Sequence, residues 1–277
     1  MSVKFMGPDP GRAVSAVVEE VGAIMGMSED EFAALAQSIC IMVPHRPSGG
    51  ISGGIAQANG LWARHGVSFA PVEDEFRGHI DIMRASMCRA FLQYCYDRPE
   101  CKFMVMMDSD ELVPWDAPYR LAAWDLPIVS GVVCSISEGR GIWACFTVKD
   151  KYGVARFPSF NYTNKLPGKG LVDAHSVGGG LVCIRKDVIQ DLYDAGEIPF
   201  LIPDKVRREA CEVGTLKFGE DTWFCEQARK IGHKCYVDMA VHAVHIKSTN
   251  ISWPRSHVDY NMDPEDFEVD GREHHHG

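Results

Sequence analysis

Lys102-Phe-Met-Val-Met-Met-Asp108-Ser-Asp110-Glu-Leu112 is the stretch that decides the fold. Phe103 to Met107 is apolar without alternation, which predicts a strand covered on both faces, as in a parallel sheet. Two carboxylates follow at i and i+2, Asp108 and Asp110. If extended geometry persists past the strand end, they point to the same side. Ligands of open α/β sheets bind at that end of the strands. Two hard oxygen ligands there suit Mg²⁺ or Mn²⁺ carrying a diphosphate. Asp-x-Asp also arises by chance about once in a chain of this length. Its position directly after an apolar strand singles this copy out.

Upstream, Ser38 to Val43 reads as the first strand, stopped by Pro44. The loop His45-Arg-Pro-Ser-Gly-Gly-Ile-Ser-Gly-Gly54 follows, then a helix to His65. A glycine-rich turn at this point lets a nucleotide approach the backbone, although the spacing matches neither the dinucleotide fingerprint nor a P-loop. A surface loop explains it equally well. Val67 to Val72 predicts a second strand, and Ile80 to Tyr94 a helix with Ile80, Met83, Met87, Ala90, Phe91 and Tyr94 on its core stripe. Arg84 is within reach of a phosphate, but solvated arginine is the simpler expectation. Residues 1 to 37 read as a helical extension that packs on the main domain, and Ser28 with Glu31 has the capping-box pattern.

Downstream, Leu126 to Cys134 is another buried strand, so the first half alternates strand and helix as a parallel sheet requires. Ile142 to Val148 and Tyr152 to Phe157 read as a hairpin, and Asn161 to Gly170 as a polar loop. Ser176-Val-Gly-Gly-Gly180 then enters the strand Leu181 to Ile184 and a helix from Arg185 to Tyr193. Three successive glycines bring backbone close to a ligand or to a neighbouring strand. Phe218 to Gly232 has the marks of a bounded helix, with acids in its first turn, Arg229 and Lys230 in its last and Gly232 as its stop. Phe224, Ala228 and Ile231 are expected to face the core, and Asp221 to serve at least as a cap. His242 and His245 are three apart, so strand alternation turns them to opposite sides and leaves one for a site.

The 277 residues are 46% hydrophobic and 24% charged, which describes a globular chain with a sizeable core. A formal charge of −10 argues against non-specific binding along a nucleic-acid backbone. No apolar run is long enough to span a membrane, and the N-terminus lacks the pattern of a signal peptide. The 10 cysteines form no C-x-x-C pair and sit mostly in apolar runs, which predicts reduced, buried thiols and a cytoplasmic protein. The division expected is a helical extension over 1–37, a catalytic domain over 38–250 and a polar, acidic tail over 251–277. The closing His274–His276 run reads as solvated tail or as a purification remnant.

Four motifs in this order resemble the GT-A class of nucleotide-sugar glycosyltransferases, in particular its small bacterial and phage-type members. They are Met-Met-Asp108-Ser-Asp110, Val177-Gly-Gly-Gly-Leu-Val-Cys-Ile-Arg185, Gly219-Glu220-Asp221 and Val244-His245-Ile, and the resemblance runs from Ile39 to about Lys247. It implies a Rossmann-like, mostly parallel sheet flanked by helices, with a smaller antiparallel element. It also implies a hexosyl transfer from a UDP- or GDP-linked donor to an acceptor hydroxyl. Asp108, Asp110 and His245 would hold Mn²⁺ or Mg²⁺, and Asp221, beside Glu220, would be the general base of an inverting reaction. Pro44, His45, Arg46, Arg84, Asp108, Ser109 and Gly178 to Gly180 would line the donor pocket. Two departures stand out: the unusually glycine-rich loop after the first strand, and His175 just before the glycines, where an acid would be unsurprising. One competing reading is a sugar-phosphate nucleotidyltransferase, which wants a glycine-rich loop with basic residues after the first strand, where this chain offers Arg46 and four glycines but no lysine. The other is a non-catalytic carbohydrate-binding protein, which has no need of all four of Asp108, Asp110, Asp221 and His245.

Overall fold

The computed structural model describes residues 25–45, 53–73, 79–137, 141–149, 153–156, 170–207, 219–246 and 250–251. Residues 1–24 of the expected helical extension, most of the glycine-rich loop including Arg46, the polar loop as far as residue 169 and the tail from residue 252 lie outside them. The strands in chain order are β1 (Ile39–His45), β2 (Ser68–Glu73), β3 (Phe103–Met107), β4 (Glu111–Leu112), β5 (Ile128–Val132), β6 (Cys134–Ser137), β7 (Gly141–Ala144) and β8 (Phe146–Lys149). They continue with β9 (Ala155–Arg156), β10 (Leu171–Ala174), β11 (Ser176–Val177), β12 (Leu181–Arg185), β13 (Cys235–His242), β14 (Val244–Ile246) and β15 (Asn250–Ile251). The helices are α1 (Glu29–Gln37), α2 (Gly53–Arg64), α3 (Ile80–Asp97), α4 (Ala117–Ala123), α5 (Lys186–Asp194) and α6 (Glu220–Lys230).

Seven strands form the central sheet in the order β10-β13-β5-β12-β3-β1-β2. β2, β1 and β3 are parallel, as are β5 and β13, whereas β12 runs antiparallel to both β3 and β5, and β10 antiparallel to β13. The sheet is therefore mixed and mostly parallel, with helices on both faces. Alternation along β3 divides the core. Met104 and Met106 join Met87 and Phe91 of α3, Leu192 of α5 and Phe224 of α6. Phe103, Val105 and Met107 join Phe32 of α1, Trp62 of α2 and Tyr119 of α4. Each fully buried side chain of this size contributes about 1.5–3 kcal/mol, so a charge at Val105 or Met106 would break the sheet at its centre.

The capping box at Ser28 is complete: Ser28 Oγ accepts from Glu31 N–H at 3.3 Å, and Glu31 Oε2 accepts from Ser28 N–H at 2.8 Å. α1 packs through Phe32, whose ring lies 4.9 Å from that of Tyr119. His65 Nδ1 bonds Tyr119 Oη at 2.8 Å on the same face, and burial, aided by Arg64, lowers the pKa of this imidazole.

Four expectations need correction. Pro44 does not stop β1, which runs on to His45 beside β2. β1 pairs with β3 only as far as Met42, so beyond it one edge of β1 makes no ladder with β3 and an imino nitrogen is tolerated. The segment Ile142 to Val148 is broken at Cys145, where the chain leaves the β6–β7 hairpin to pair β8 with β9 and β11. Ile80 and Ile231 are exposed, each at an end of its helix. Arg84 is not solvated but 4% exposed. It shares the α3 stripe of Met87 and Phe91, three and seven residues on, and so points inward.

Candidate functional site

The carboxyl end of β3, the entry to β12 and the first turn of α6 meet at one edge of the sheet. Because β12 is antiparallel to β3, its start lies beside the end of β3: Leu181 pairs with Met107, and Asp108 N–H donates to the Gly180 carbonyl at 3.0 Å. The extended backbone stops there. Glu111 N–H donates to the Asp108 carbonyl at 3.2 Å, closing a turn through Ser109 and Asp110. A tight turn breaks strand alternation, so Asp108 and Asp110 go to different partners rather than side by side.

Asp110 reaches β14. Its Oδ2 lies 2.9 Å from His245 Nε2. β4 and β14 pair antiparallel with Glu111 directly opposite His245, and Glu111 Oε1 is 3.8 Å from His245 Nδ1. One ligand atom each from Asp110, Glu111 and His245 lie within 4.8 Å of one another. Glu111 is 1% exposed, and the buried His245 Nδ1 has no hydrogen-bond partner among the described residues. Two carboxylate oxygens and an imidazole nitrogen, with that nitrogen unused, fit Mn²⁺ or Mg²⁺, the nitrogen favouring Mn²⁺. Glu111 was absent from the sequence reading. Its signal was the same strand end as the Asp-x-Asp, one position later.

His242 turns elsewhere, to the Met239 carbonyl at 2.8 Å. The two histidines go to different partners, but the strand breaks at Ala243, which puts His242 on β13 and His245 on β14 of a different sheet. Alternation along one strand is therefore not what separates them.

Asp108 belongs to a second cluster. Arg84 Nη2 donates to both its oxygens, at 2.8 and 3.1 Å, and Arg84 Nη1 donates to Glu220 Oε1 at 2.5 Å. Burial works against the guanidinium charge, but Asp108, Glu220 and Asp221 outweigh it and raise the pKa of Arg84. Burial raises the pKa of Glu220, Arg84 opposes this, and Asp221 and Asp108 add to the rise. Arg84 is thus occupied by protein carboxylates. Asp221, next to Glu220, sends Oδ1 to its neighbour Thr222 N–H at 2.7 Å. The N-cap of α6 is Gly219, so Asp221 is a first-turn acid rather than the cap itself.

The three glycines form the floor between these groups. A β-carbon on Gly178 would stand 2.8 Å from the Cys145 carbonyl and 3.7 Å from Asp221 Oδ2. On Gly179 it would collide with the Arg84 guanidinium, and on Gly180 it would lie 3.1 Å from Glu111 Oε1 and 3.5 Å from Asp108 Oδ2. Gly178 serves a close approach of the Cys145 backbone, and Gly179 and Gly180 a close approach of side chains.

Of the other expected site residues, Pro44 is buried in β1 and His45 ends that strand beside Glu73. Ser109 sits in the turn, and Arg46 lies outside the described residues. His175 joins β10 to β11 and donates its N–H to the Thr147 carbonyl at 2.7 Å; burial, with Arg229 and Lys149, lowers its pKa.

No family model matches the sequence, and no curated protein matches it. Comparison with solved structures finds distant similarities. The crystal structure of A197 from STIV is 14% identical with a TM-score of 0.47, covering 80% of this chain and 94% of that one. GalNAc-T7, crystallised with UDP, GalNAc and Mn²⁺, is 11% identical with a TM-score of 0.44, over 87% of this chain and 53% of that one, so this chain spans about half its length. A glycosyltransferase involved in glycosylation of the major capsid of PBCV-1 is 11% identical with a TM-score of 0.29, over 73% and 92%.

Proposed function

We propose that the chain is a metal-dependent glycosyltransferase that moves a sugar from a nucleotide-sugar donor to an acceptor hydroxyl. What carries the reading is one observation: the Asp110–Glu111–His245 group lies on the same sheet edge as a separate acidic pair, Glu220 and Asp221, with three glycines between. Asp110, Glu111 and His245 would hold the ion, which stabilises the negative charge that develops on a departing nucleoside diphosphate. In the transfer, the bond from the anomeric carbon to the diphosphate oxygen breaks and one to the acceptor oxygen forms. The acceptor proton goes to a carboxylate.

Asp221 suits that task better than Glu220. Glu220 is committed to Arg84 and its pKa is raised, whereas Asp221 Oδ2 lies toward Gly178, 3.7 Å from where a β-carbon on that glycine would stand. Asp108 then orients the turn through Arg84 and borders the donor. Gly178 to Gly180 let Cys145, Arg84, Glu111 and Asp108 pack against the entry to β12, which brings the two acidic groups close together.

The test is release of nucleoside diphosphate from UDP- and GDP-sugars, with and without Mn²⁺, in wild type and Asp221→Asn. Mn²⁺-dependent release, cut about a hundredfold or more in Asp221→Asn with donor binding kept, is the expected result. Release of pyrophosphate from a nucleoside triphosphate and a sugar phosphate would indicate a nucleotidyltransferase. Wild-type rates in Asp221→Asn would remove the base assignment.

A further inference from the structure

Among the described residues, two that are not glycine hold a positive φ: Asp125 at 48° and Phe200 at 65°. Aspartate tolerates this region; a bulky aromatic residue does so only where its surroundings force it. Phe200 is 1% exposed. Its ring stacks on that of Phe224 with centroids 4.2 Å apart and planes 6° from parallel. Phe224 lies one helical turn after Glu220 on α6. The Arg84 Cζ stands 6.0 Å from the centroid of the Phe200 ring.

The same segment is tied to α3 a second time. Arg207 pairs with buried Asp81, one turn before Arg84, and Arg207 Nε donates to the Ile202 carbonyl at 3.1 Å. The chain from Phe200 to Arg207 thus crosses the first turns of α3 at two fixed points. The buried Nε of Arg84 has no hydrogen-bond partner among the described residues, so hydrogen bonds hold only the outer nitrogens of the guanidinium. Two carboxylates hold the ends of the guanidinium, and an aromatic ring lies beside it.

We propose that Phe200 is a positioning residue whose ring, held by its left-handed backbone against Phe224, sets the plane of the Arg84 guanidinium and so aims Asp108 and Glu220. The inference rests on the proposed site only for the use to which those carboxylates are put. An aromatic face attracts a guanidinium, and a flat ring resists the tilt that a flexible aliphatic side chain permits.

The experiment reads Arg84 directly, by ¹⁵N-arginine NMR of the full chain, with the Arg84 signals assigned by their loss in Arg84→Lys. In wild type the Arg84 Nη protons should be resolved and slow to exchange. Phe200→Leu should average them by freeing rotation, and Phe200→Tyr should restore the wild-type pattern. Phe224→Leu removes the stack from the other side and should act as Phe200→Leu does, which keeps the test open should Phe200→Leu not fold. Phe32→Leu, equally buried on the opposite face of the sheet, should leave Arg84 unchanged. Wild-type Arg84 signals in folded Phe200→Leu or Phe224→Leu would overturn the proposal. Failure to turn over any nucleotide sugar would remove the glycosyl-transfer reading and leave this result standing.

Discussion

Gly179 leaves no room for a side chain beside the Arg84 guanidinium: a β-carbon there would collide with Nη1, Cζ and Nη2 together. Arg84 cannot swing aside without abandoning Asp108 and Glu220. Gly179→Ala should therefore cost about 1–3 kcal/mol, the usual scale of overpacking. Gly60 is the contrast, a helical glycine with nothing within 4 Å of an added β-carbon. Gly60→Ala should stabilise by about 0.5–1 kcal/mol. Urea denaturation of the two variants checks both signs, and equal effects would mean that Arg84 relaxes freely.

Removing the guanidinium should be worse than crowding it. Arg84→Met leaves Asp108 and Glu220 facing each other without a cation, a change that costs about 3–5 kcal/mol when a buried pair is broken. Glu220 is already raised by burial, and losing Arg84 removes what opposed the rise. A carboxyl raised in the folded state contributes stability below its unfolded pKa and loses it as pH rises through the folded value. The deficit of Arg84→Met relative to wild type should thus be small near pH 4.5 and grow toward pH 7. A deficit independent of pH would show that lost packing, rather than charge, is responsible.

The metal group makes a prediction that needs no nucleotide. On the proposed function, Asp110, Glu111 and His245 already stand together before any diphosphate arrives, so Mn²⁺ alone should bind. Asp110→Asn, Glu111→Gln and His245→Gln should each weaken it tenfold or more, on the order of a lost ligand, as read by calorimetry or electron paramagnetic resonance. His242→Gln should not, because His242 is turned to the Met239 carbonyl. If Glu111→Gln binds as wild type does, the buried glutamate is structural.

On the opposite face of the sheet, His65 should govern an acid limb of stability. Its pKa is lowered in the folded state by burial and by Arg64, so its contribution is complete above 6.5 and falls away as pH drops through the folded value. Melting temperature followed from pH 7.5 to 5 should decline less steeply in His65→Gln than in wild type. Parallel curves would place the acid limb elsewhere.

Much of this was legible in the residues because local chemistry and tertiary context agreed. The apolar run before Asp108, the glycines before Leu181 and the bounded helix at Glu220 each carried their own pattern. Arg84 was misread because composition says that arginine is solvated, whereas its stripe with Met87 and Phe91 said otherwise. Glu111 was missed for a different reason. It acts through the pairing of a two-residue strand with β14, more than a hundred residues away, and no periodicity marks so short an element. Phe200 carried no signal at all, since nothing in Ile198-Pro-Phe-Leu-Ile-Pro203 announces a left-handed aromatic.

The reversed strand β12 has a consequence for how the molecule is made. It sits at the centre of the sheet, between β3 and β5, yet is synthesised after both. A nascent chain that ends before Leu181 carries β2, β1 and β3 on one side and β5 on the other, with the β12-facing edges of β3 and β5 unpaired. Non-local pairing of this kind is slow and leaves strand edges open to other chains. The edge that carries Asp108 is thus closed by one of the later strands to emerge, and arrested chains cut just before and just after β12 should differ sharply in protease resistance. Equal resistance would mean that another segment covers the gap first.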